Sequence, residues 1–550
     1  MFEIIARDGA GRIGKLRTTH GYIYTPEFMP VYNHNHPTVP IDDFRKMNVK
    51  ILITNAYIIN RTPKLKDNAE KGIHNLINFN NLIMTDSGAY QAWMYQKELE
   101  ITNKEIINFQ DLLKPDIATI LDIFTETNSY SIAKEGVKKT IESAEECIKI
   151  RKKDSKILWA APIQGGQFLD LLEYCAKELS KLDFDFHPLG TLAPALVSYN
   201  FKKVAETIAV TKKYMTPSRP LHAFSIGHPI FFSLAVALGA DLFDSSSYAL
   251  FAKNNRYLTV NGTLRLENLI TEFPCSCPIC LKFTPEDLKS KENPEREKLL
   301  AQHNLYVCLE EMKRIRLAIR EGNLWNLVQI RIQSHPRLIE AYNYVMSKYL
   351  NNLELFEPIS KHSAIFITDS SSLNRPEVFR YHKNLEKYYK VPKNVKYLIL
   401  LPDLRNRLYF DRKFQNIQIN INKITKKNRS IFQICLISPI FGIIPEELQE
   451  IYPLSQFVYS QMTNKDFIFH SQQIIERFII RHKKNYEEIV LYRPKELIMQ
   501  DLNKSLLDNH TINKISTEIK VAIVNDEVQL YEEIEKLYNE NRFLRNKKME

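Results

Sequence analysis

Between residue 26 and about residue 245, short apolar runs alternate with stretches of helical length, and no other feature of the chain constrains its fold as tightly. The runs are PEFMPVY (26–32), KILITN (50–55), NLIMT (81–85), DIATILD (116–122), ILWAAPI (157–163), FDFHPLG (184–190), LHAFSIG (221–227) and ADLFD (240–244). Between them lie segments such as KEIINFQDLL and FKKVAETIAVTKKY, whose apolar residues recur at helical spacing. Uninterrupted apolar strands joined by helices are the mark of a parallel sheet buried on both faces. Eight repeats of strand and helix predict an α/β fold of the (β/α)8 barrel type, preceded by a hairpin-like piece over about residues 1–25.

In such a fold the chemistry sits on loops after the C-terminal ends of the strands. Asp86, Asp122, Gln164, Gly190 and Asp244 all fall at or just beyond the end of a run. An Asp after a strand is more often a helix cap or a turn residue. Five polar or glycine positions on one rim point instead to a site.

After the barrel comes Cys275-Ser-Cys277-Pro-Ile-Cys280, and 22 residues separate Cys280 from His303, which precedes a strong helical pattern running from about 304 to 350. Three thiolates on one tight loop and one imidazole satisfy a tetrahedral zinc with no position left for water, so the expected Zn2+ site, in a subdomain at about 270–305, is structural. The cysteine spacing is specific; spacing alone does not select His303. Three of the seven cysteines so close together in a chain this long disfavour a disulfide framework and fit a reducing, cytoplasmic setting.

No stretch approaches the roughly 20 apolar residues of a membrane span, and the first residues lack the apolar block of a signal peptide. A net charge of +11 is compatible with a polyanionic partner, though charge alone decides nothing. Past the cysteines the chain reads as a charged linker (KFTPEDLKSKENPEREK), the 304–350 helical region, an α+β region over 351–495, and a charged tail over 496–550 ending in a solvated helix.

Several segments together resemble the archaeal-type tRNA-guanine transglycosylases: Met84-Thr-Asp-Ser-Gly-Ala-Tyr-Gln91, Gln164-Gly-Gly166, Leu189-Gly190, Asp241-Leu-Phe-Asp-Ser-Ser-Ser-Tyr248 with Arg256-Tyr-Leu-Thr259, and the cysteine cluster with its histidine. The likeness covers residues 1–350 as catalytic barrel and zinc subdomain. Phe441-Gly-Ile-Ile-Pro-Glu-Glu-Leu448 and Tyr452-Pro-Leu-Ser-Gln456 look like that family's archaeal C-terminal region. The resemblance implies a pentosyltransferase that exchanges guanine 15 in the tRNA D-arm for 7-cyano-7-deazaguanine, the precursor of archaeosine. It implies Asp244 as nucleophile, Asp86 as general acid/base, and Ser87, Tyr90, Asp122, Gln164 and Gly190 as the base-binding set, with Tyr90 stacking on the base and Gln164 and the Gly190 backbone meeting O6. The implied metal ligands are Cys275, Cys277, Cys280 and His303. As partners it implies tRNA and the two bases, a homodimer through the zinc-side surface, and no membrane. Archaeal members commonly end in a PUA-type RNA-binding domain, which residues 496–550 do not resemble, so a separate PUA-type protein is a further expected partner.

Two other readings compete. A paralogous enzyme of the archaeosine pathway amidates the nitrile already in tRNA, but it tends to lose the barrel aspartates, and here Cys435, the only cysteine past 308, lies in an apolar run. A non-catalytic tRNA-binding subunit would keep the barrel and zinc site without need of both Asp86 and Asp244.

Overall fold

The computed structural model describes residues 2–90, 100–269, 271–403, 411–425, 429–459, 465–494 and 508–547, so Gln91 and residues 496–507 of the expected tail lie outside the described residues. Among the described residues no helix is long and apolar enough to cross a membrane. The chain divides into two compact units, Met1–Pro358 and Ile359–Glu550.

The first unit opens with an antiparallel sheet, β1 (Phe2–Asp8), β2 (Gly11–Thr18) and β3 (Gly21–Tyr24). Each of the eight apolar runs then forms a strand, two of them running one residue further: β4 (Glu27–Pro30), β5 (Ile51–Asn55), β6 (Leu82–Asp86), β7 (Ile117–Thr119), β8 (Leu158–Ala160), β9 (His187–Leu189), β10 (Leu221–Ala223) and β11 (Leu242–Ser245). They form two parallel four-stranded sheets, β5-β6-β7-β8 and β4-β11-β10-β9. Isolated parallel bridges link the two sheets at both flanks, Val31 to Ile53 on one side and Ala160 to Phe186 and Ile163 to Leu189 on the other. The unit is therefore mixed α/β with an all-parallel core.

The pleat explains why these runs are apolar throughout. Ile51, Ile53, Leu82 and Met84 join Met29, Ile117, Ala160, Phe186 and Leu242 in one buried cluster, while Leu52 and Ile83, pointing the other way, join the larger cluster made with the helices. Leu16 and Ile23 of the antiparallel sheet complete the smaller cluster.

Two carboxylates pin the end where the strands begin. Asp116, just ahead of β7, accepts from the Ile83 amide at 2.9 Å and from His74 Nε2 and His20 Nδ1 at 3.0 Å each, the two imidazoles lying face to face. Asp241, just ahead of β11, accepts from Arg12 Nε and a terminal Arg12 nitrogen and from the Leu221 amide, all at 2.8 Å. Burial pushes both carboxyls up. Hydrogen bonds led by His74 outweigh it at Asp116, and the Arg12 and Lys212 charges do so at Asp241, so both sit below the usual carboxylate range.

The helices at Asn103–Leu113 and Phe201–Tyr214 match their expected segments; the first is closed by a capping box of Thr102 and Glu105. The region past the cysteines differs from expectation. The charged linker is largely helical, because Thr284 and Asp287 form a capping box and Pro285 and Pro294 occupy first-turn positions, where a missing N–H costs nothing. The 304–350 pattern is three helices, Asn293–Glu321, Leu324–Ile332 and Pro336–Leu353, split where Gly322 turns left-handed at φ 72° and where Pro336 starts a new helix. Its basic residues are largely spoken for: Arg331 pairs with Glu311, and Arg316 donates to the Pro26 carbonyl.

In that unit the hairpin β12 (Arg256–Thr259) and β13 (Gly262–Arg265) precedes the cysteines. The second unit holds β14 (Ile365–Ile367), β15 (Tyr397–Pro402), β16 (Phe432–Ser438), β17 (Gly442–Pro445), β18 (Phe457–Tyr459), β19 (Glu488–Tyr492) and β20 (Lys520–Val524). Its main sheet runs β17-β16-β15-β19-β20, parallel except for β17. The expected solvated tail is thus corrected from 508 onward: β20 extends the sheet, and Leu530, Ile534 and Leu537 of the last helix are buried in the unit's core. The run KVAIV was too short to stand out as a strand.

Candidate active site

All five rim positions fall at or just beyond the C-terminal ends of parallel strands, four of them on the consecutive strands β6 to β9 and one on β11. Asp86 is the last residue of β6 and pairs in register with Asn55, the last of β5. The Asn55 side chain divides its work: Oδ1 accepts from the Ile58 amide, capping the following helix, and Nδ2 donates to Asp86 Oδ2 at 3.1 Å. Burial, then the charges of Asp122 and Asp244, push the Asp86 carboxyl up to about 7 against the pull of the Gly88 and Ser87 amides.

Asp122 follows β7, and Gln164 follows β8. Gln164 Nε2 donates to Asp122 Oδ2 while its Oε1 accepts from Thr125 Oγ1 at 3.1 Å, so the amide has one orientation. Burial raises the Asp122 carboxyl to about 6, opposed by the Gln164 hydrogen bond. Gly190 follows β9, and a Cβ there would lie 2.2 Å from Gln164 Nε2, so any side chain would displace that amide. The Gly190 N–H already donates to the Ile163 carbonyl at 3.0 Å. The backbone donor expected to meet O6 is therefore engaged in this state, because the strand-end bridge between β8 and β9 uses it. Ser87 is fully buried with its hydroxyl oxygen unpartnered among the described residues. Tyr90 is half-buried, its ring edge-on to Phe124 at 5.6 Å.

Asp244, third residue of β11, is buried to 8 % exposure. His222 Nε2 donates to its Oδ1 at 2.8 Å and the Ser225 amide to the same oxygen at 3.1 Å. The site thus offers a carboxyl that holds a proton near neutrality, a clamped carboxylate and a third acid locked to an amide. Asn55, Thr125 and His222 escaped sequence reasoning. Asn55 ends a run by the same logic as Asp86 but reads as the helix cap it also is; His222 lies inside an apolar run with no signal to single it out.

Away from the rim, Cys275, Cys277, Cys280 and His303 bring their ligand atoms within 4.8 Å of one another. Cys277 Sγ and Cys280 Sγ are 3.5 Å apart and lie 3.5 and 3.3 Å from His303 Nδ1. A tetrahedron with metal–sulfur bonds of about 2.3 Å has edges of roughly 3.8 Å, so the spacing suits a metal. His303 Nε2 donates to the Leu258 carbonyl at 2.9 Å, which leaves the Nδ1 lone pair facing the sulfurs, and Tyr257 stacks on the imidazole at 3.7 Å. His303 sits within the 293–321 helix and not at its start, since Pro294 begins that helix earlier than the apolar pattern does.

Over residues 8–337 the chain matches the sequence model of the family described as queuine tRNA-ribosyltransferase. It is 41% identical over 499 residues to the tRNA-guanine(15) transglycosylase of Methanococcus aeolicus, covering 90% of this chain and 74% of that protein. Proteins of the same name from Methanocaldococcus jannaschii and Methanobrevibacter smithii are 38% and 40% identical over 529 and 528 residues, 94% and 95% of this chain and 76% and 77% of theirs.

Proposed function

Since the chain belongs to the tRNA-guanine transglycosylase family, we propose that it exchanges guanine 15 of tRNA for 7-cyano-7-deazaguanine by double displacement at C1′ of the ribose. The observation that carries this reading is the pairing, on one rim, of Asp86, whose carboxyl is raised to about 7, with a clamped Asp244. In the first half-reaction Asp244 forms a bond to C1′ as the bond from C1′ to guanine breaks, and Asp86 gives its proton to the departing base. In the second, the incoming base bonds to C1′, the ester to Asp244 opens, and Asp86 takes a proton back. A carboxyl near 7 can serve both directions at neutral pH, which an ordinary aspartate could not. Two displacements at one carbon retain the anomeric configuration.

Asp122, ionised and oriented by Gln164, would accept the paired N1-H and exocyclic amine donors of either base. The buried, unpartnered Ser87 hydroxyl fits a ligand contact, and Tyr90 offers a π-face at the rim. The role we assign to Gly190 is the absence of a side chain beside Gln164.

The flanking bridges support closure of the two parallel sheets into a (β/α)8 barrel over residues 1–350, with the second unit as the archaeal-type C-terminal region. The cysteine and histidine group fits a structural zinc that locks the β12–β13 hairpin to the 293–321 helix; metal analysis should find about one zinc per chain, lost in Cys277→Ser. A tRNA substrate fits a cytoplasmic location. A homodimer and a separate PUA-type partner stay part of the proposal, to be read from sedimentation and from co-purification with tRNA.

The test is release of labelled guanine from position 15 of a tRNA transcript on adding 7-cyano-7-deazaguanine. Exchange by the wild type and none by Asp244→Ala supports reaction and nucleophile together. No exchange by folded, zinc-loaded protein would reject the reading.

A further inference from the structure

Asp244 is held asymmetrically. His222 Nε2 and the Ser225 amide both donate to Oδ1, at 2.8 and 3.1 Å, and no donor among the described residues reaches Oδ2. The clamp is built with some strain. Ser225, which has a side chain, sits at φ 65° in the left-handed region, the conformation that turns its N–H toward the carboxylate. His222 is fully buried on β10, its ring edge-on to Phe224 at 4.5 Å, so the imidazole cannot swing away. Its Nδ1 is buried with no hydrogen-bond partner. A proton on Nδ1 would be stranded there, so the tautomer this cage favours is the one that donates from Nε2.

We propose that His222 is a positioning residue acting through Asp244: with the Ser225 amide it ties down Oδ1, leaves Oδ2 as the attacking atom, and stabilises the carboxylate when it departs from C1′. This rests on the reading of Asp244 as nucleophile. When the ester forms, Oδ2 bonds to C1′, the bond to guanine breaks, and the carboxylate charge disappears while Asp86 protonates the base. When the ester opens, the electron pair of the C1′–Oδ2 bond returns to the carboxylate. Two N–H donors on Oδ1 favour the charged form, so they assist the second step more than the first. Without His222 the carboxylate attacks unaided and leaves poorly, and the covalent tRNA–enzyme ester should accumulate.

The experiment compares wild type, His222→Leu, His222→Gln and Asp244→Asn in the steady state with tRNA transcript and 7-cyano-7-deazaguanine, following kcat, KM for tRNA and the fraction of chain carrying tRNA on a denaturing gel. Melting temperature and zinc content establish that each variant is folded. Loss of one hydrogen bond to a charged group predicts a kcat lowered roughly 10- to 100-fold in His222→Leu, with KM within about 3-fold and a larger covalent fraction. His222→Gln, whose Nε2 can stand where the imidazole Nε2 stands, should recover most of the loss. An unchanged kcat, an effect confined to KM, or a covalent fraction that falls with kcat overturns the proposal. So does a folded His222→Gln as slow as the leucine variant, since the imidazole would then be titrating and not holding. If the wild type gives no adduct, or Asp244→Asn gives one, the nucleophile reading itself fails and His222 loses its role with it.

Discussion

Two of the parallel strands carry an aspartate near each end, and the surroundings of the two ends differ. Asp116 precedes β7 and Asp122 follows it; Asp241 precedes β11 and Asp244 is the third of its four residues. At the starting end, Asp116 and Asp241 are filled by histidines, amides and an arginine and are held below the usual range. At the finishing end, burial pushes up Asp122, and burial with the charges of Asp122 and Asp244 pushes up Asp86 on the neighbouring strand. Residue type and burial are shared, so what separates the lowered carboxyls from the raised ones is the company each keeps: cations and imidazoles around Asp241 and Asp116, and other carboxylates around Asp86. A buried carboxylate matched by cations or imidazoles serves stability; one buried beside other acids keeps its proton and can trade it.

The comparison breaks most sharply at Asp244 and Asp241. Asp244→Asn should lower exchange at least roughly 10⁴-fold, with little change in unfolding midpoint. Asp241→Asn leaves the buried Arg12 uncompensated and should cost about 3–5 kcal/mol of stability, with exchange per folded molecule near wild type. Urea titrations beside guanine-release assays decide it; a catalytic defect of Asp241→Asn that survives correction for the folded fraction would blur the two ends into one.

Asp86→Asn comes next, with an expected loss of roughly 10²- to 10⁴-fold in kcat/KM. On the proposed mechanism Asp86 must be protonated to start the reaction and Asp122 ionised to hold the base. Exchange by the wild type should therefore fall below about pH 6 and above about pH 7. Stability carries the opposite sign to an ordinary ion pair. A carboxyl raised in the folded chain binds its proton more tightly there than when unfolded, so wild-type stability should decline as pH climbs from about 4 through 7. Asp86→Asn should flatten that decline. A stability curve unaltered by the substitution would mean that Asp86 is not desolvated as the structure has it.

Asp116 supplies the converse. Its carboxyl is lowered, so the stability it contributes is present above about pH 4, the unfolded value, and is lost as acid carries the chain through the lower folded value. Asp116→Asn should cost about 2–3 kcal/mol at pH 7, and the difference from wild type should shrink at pH 3. A gap that stays constant with pH would assign the effect to packing.

How much of this was legible depended on range. The eight strands and the rim positions Asp86, Asp122, Gln164 and Asp244 follow from local patterning, because a strand buried on both faces must be apolar and must then end. What makes each aspartate what it is comes from residues distant in the chain: Arg12 beside Asp241, His20 and His74 around Asp116, Asn55 on Asp86 and His222 on Asp244. No spacing rule reaches those pairings. The candidate metal cluster was visible because its three cysteines sit on one loop; His303, inside a helix, needed the family resemblance. β20 was hidden because it is only five residues long, opens on a lysine and lies at the sheet edge with Val524 alone buried.

The smallest effect concerns Tyr90, whose value to the site we place in its ring and not its hydroxyl. Its edge-on contact with Phe124 holds the ring at the rim, and a stacked base draws on the π-face alone. Tyr90→Phe should therefore change kcat/KM by less than about 3-fold, whereas Tyr90→Ala should lose roughly 10- to 100-fold, the worth of one base–aromatic stack. The burial that raises the Tyr90 hydroxyl above its ordinary value keeps it neutral across the assay range, so neither variant should reshape the pH profile. A phenylalanine variant as defective as the alanine one would show that the hydroxyl touches substrate, and the line between the acids and the neutral groups of the rim would have to be redrawn around a further polar contact.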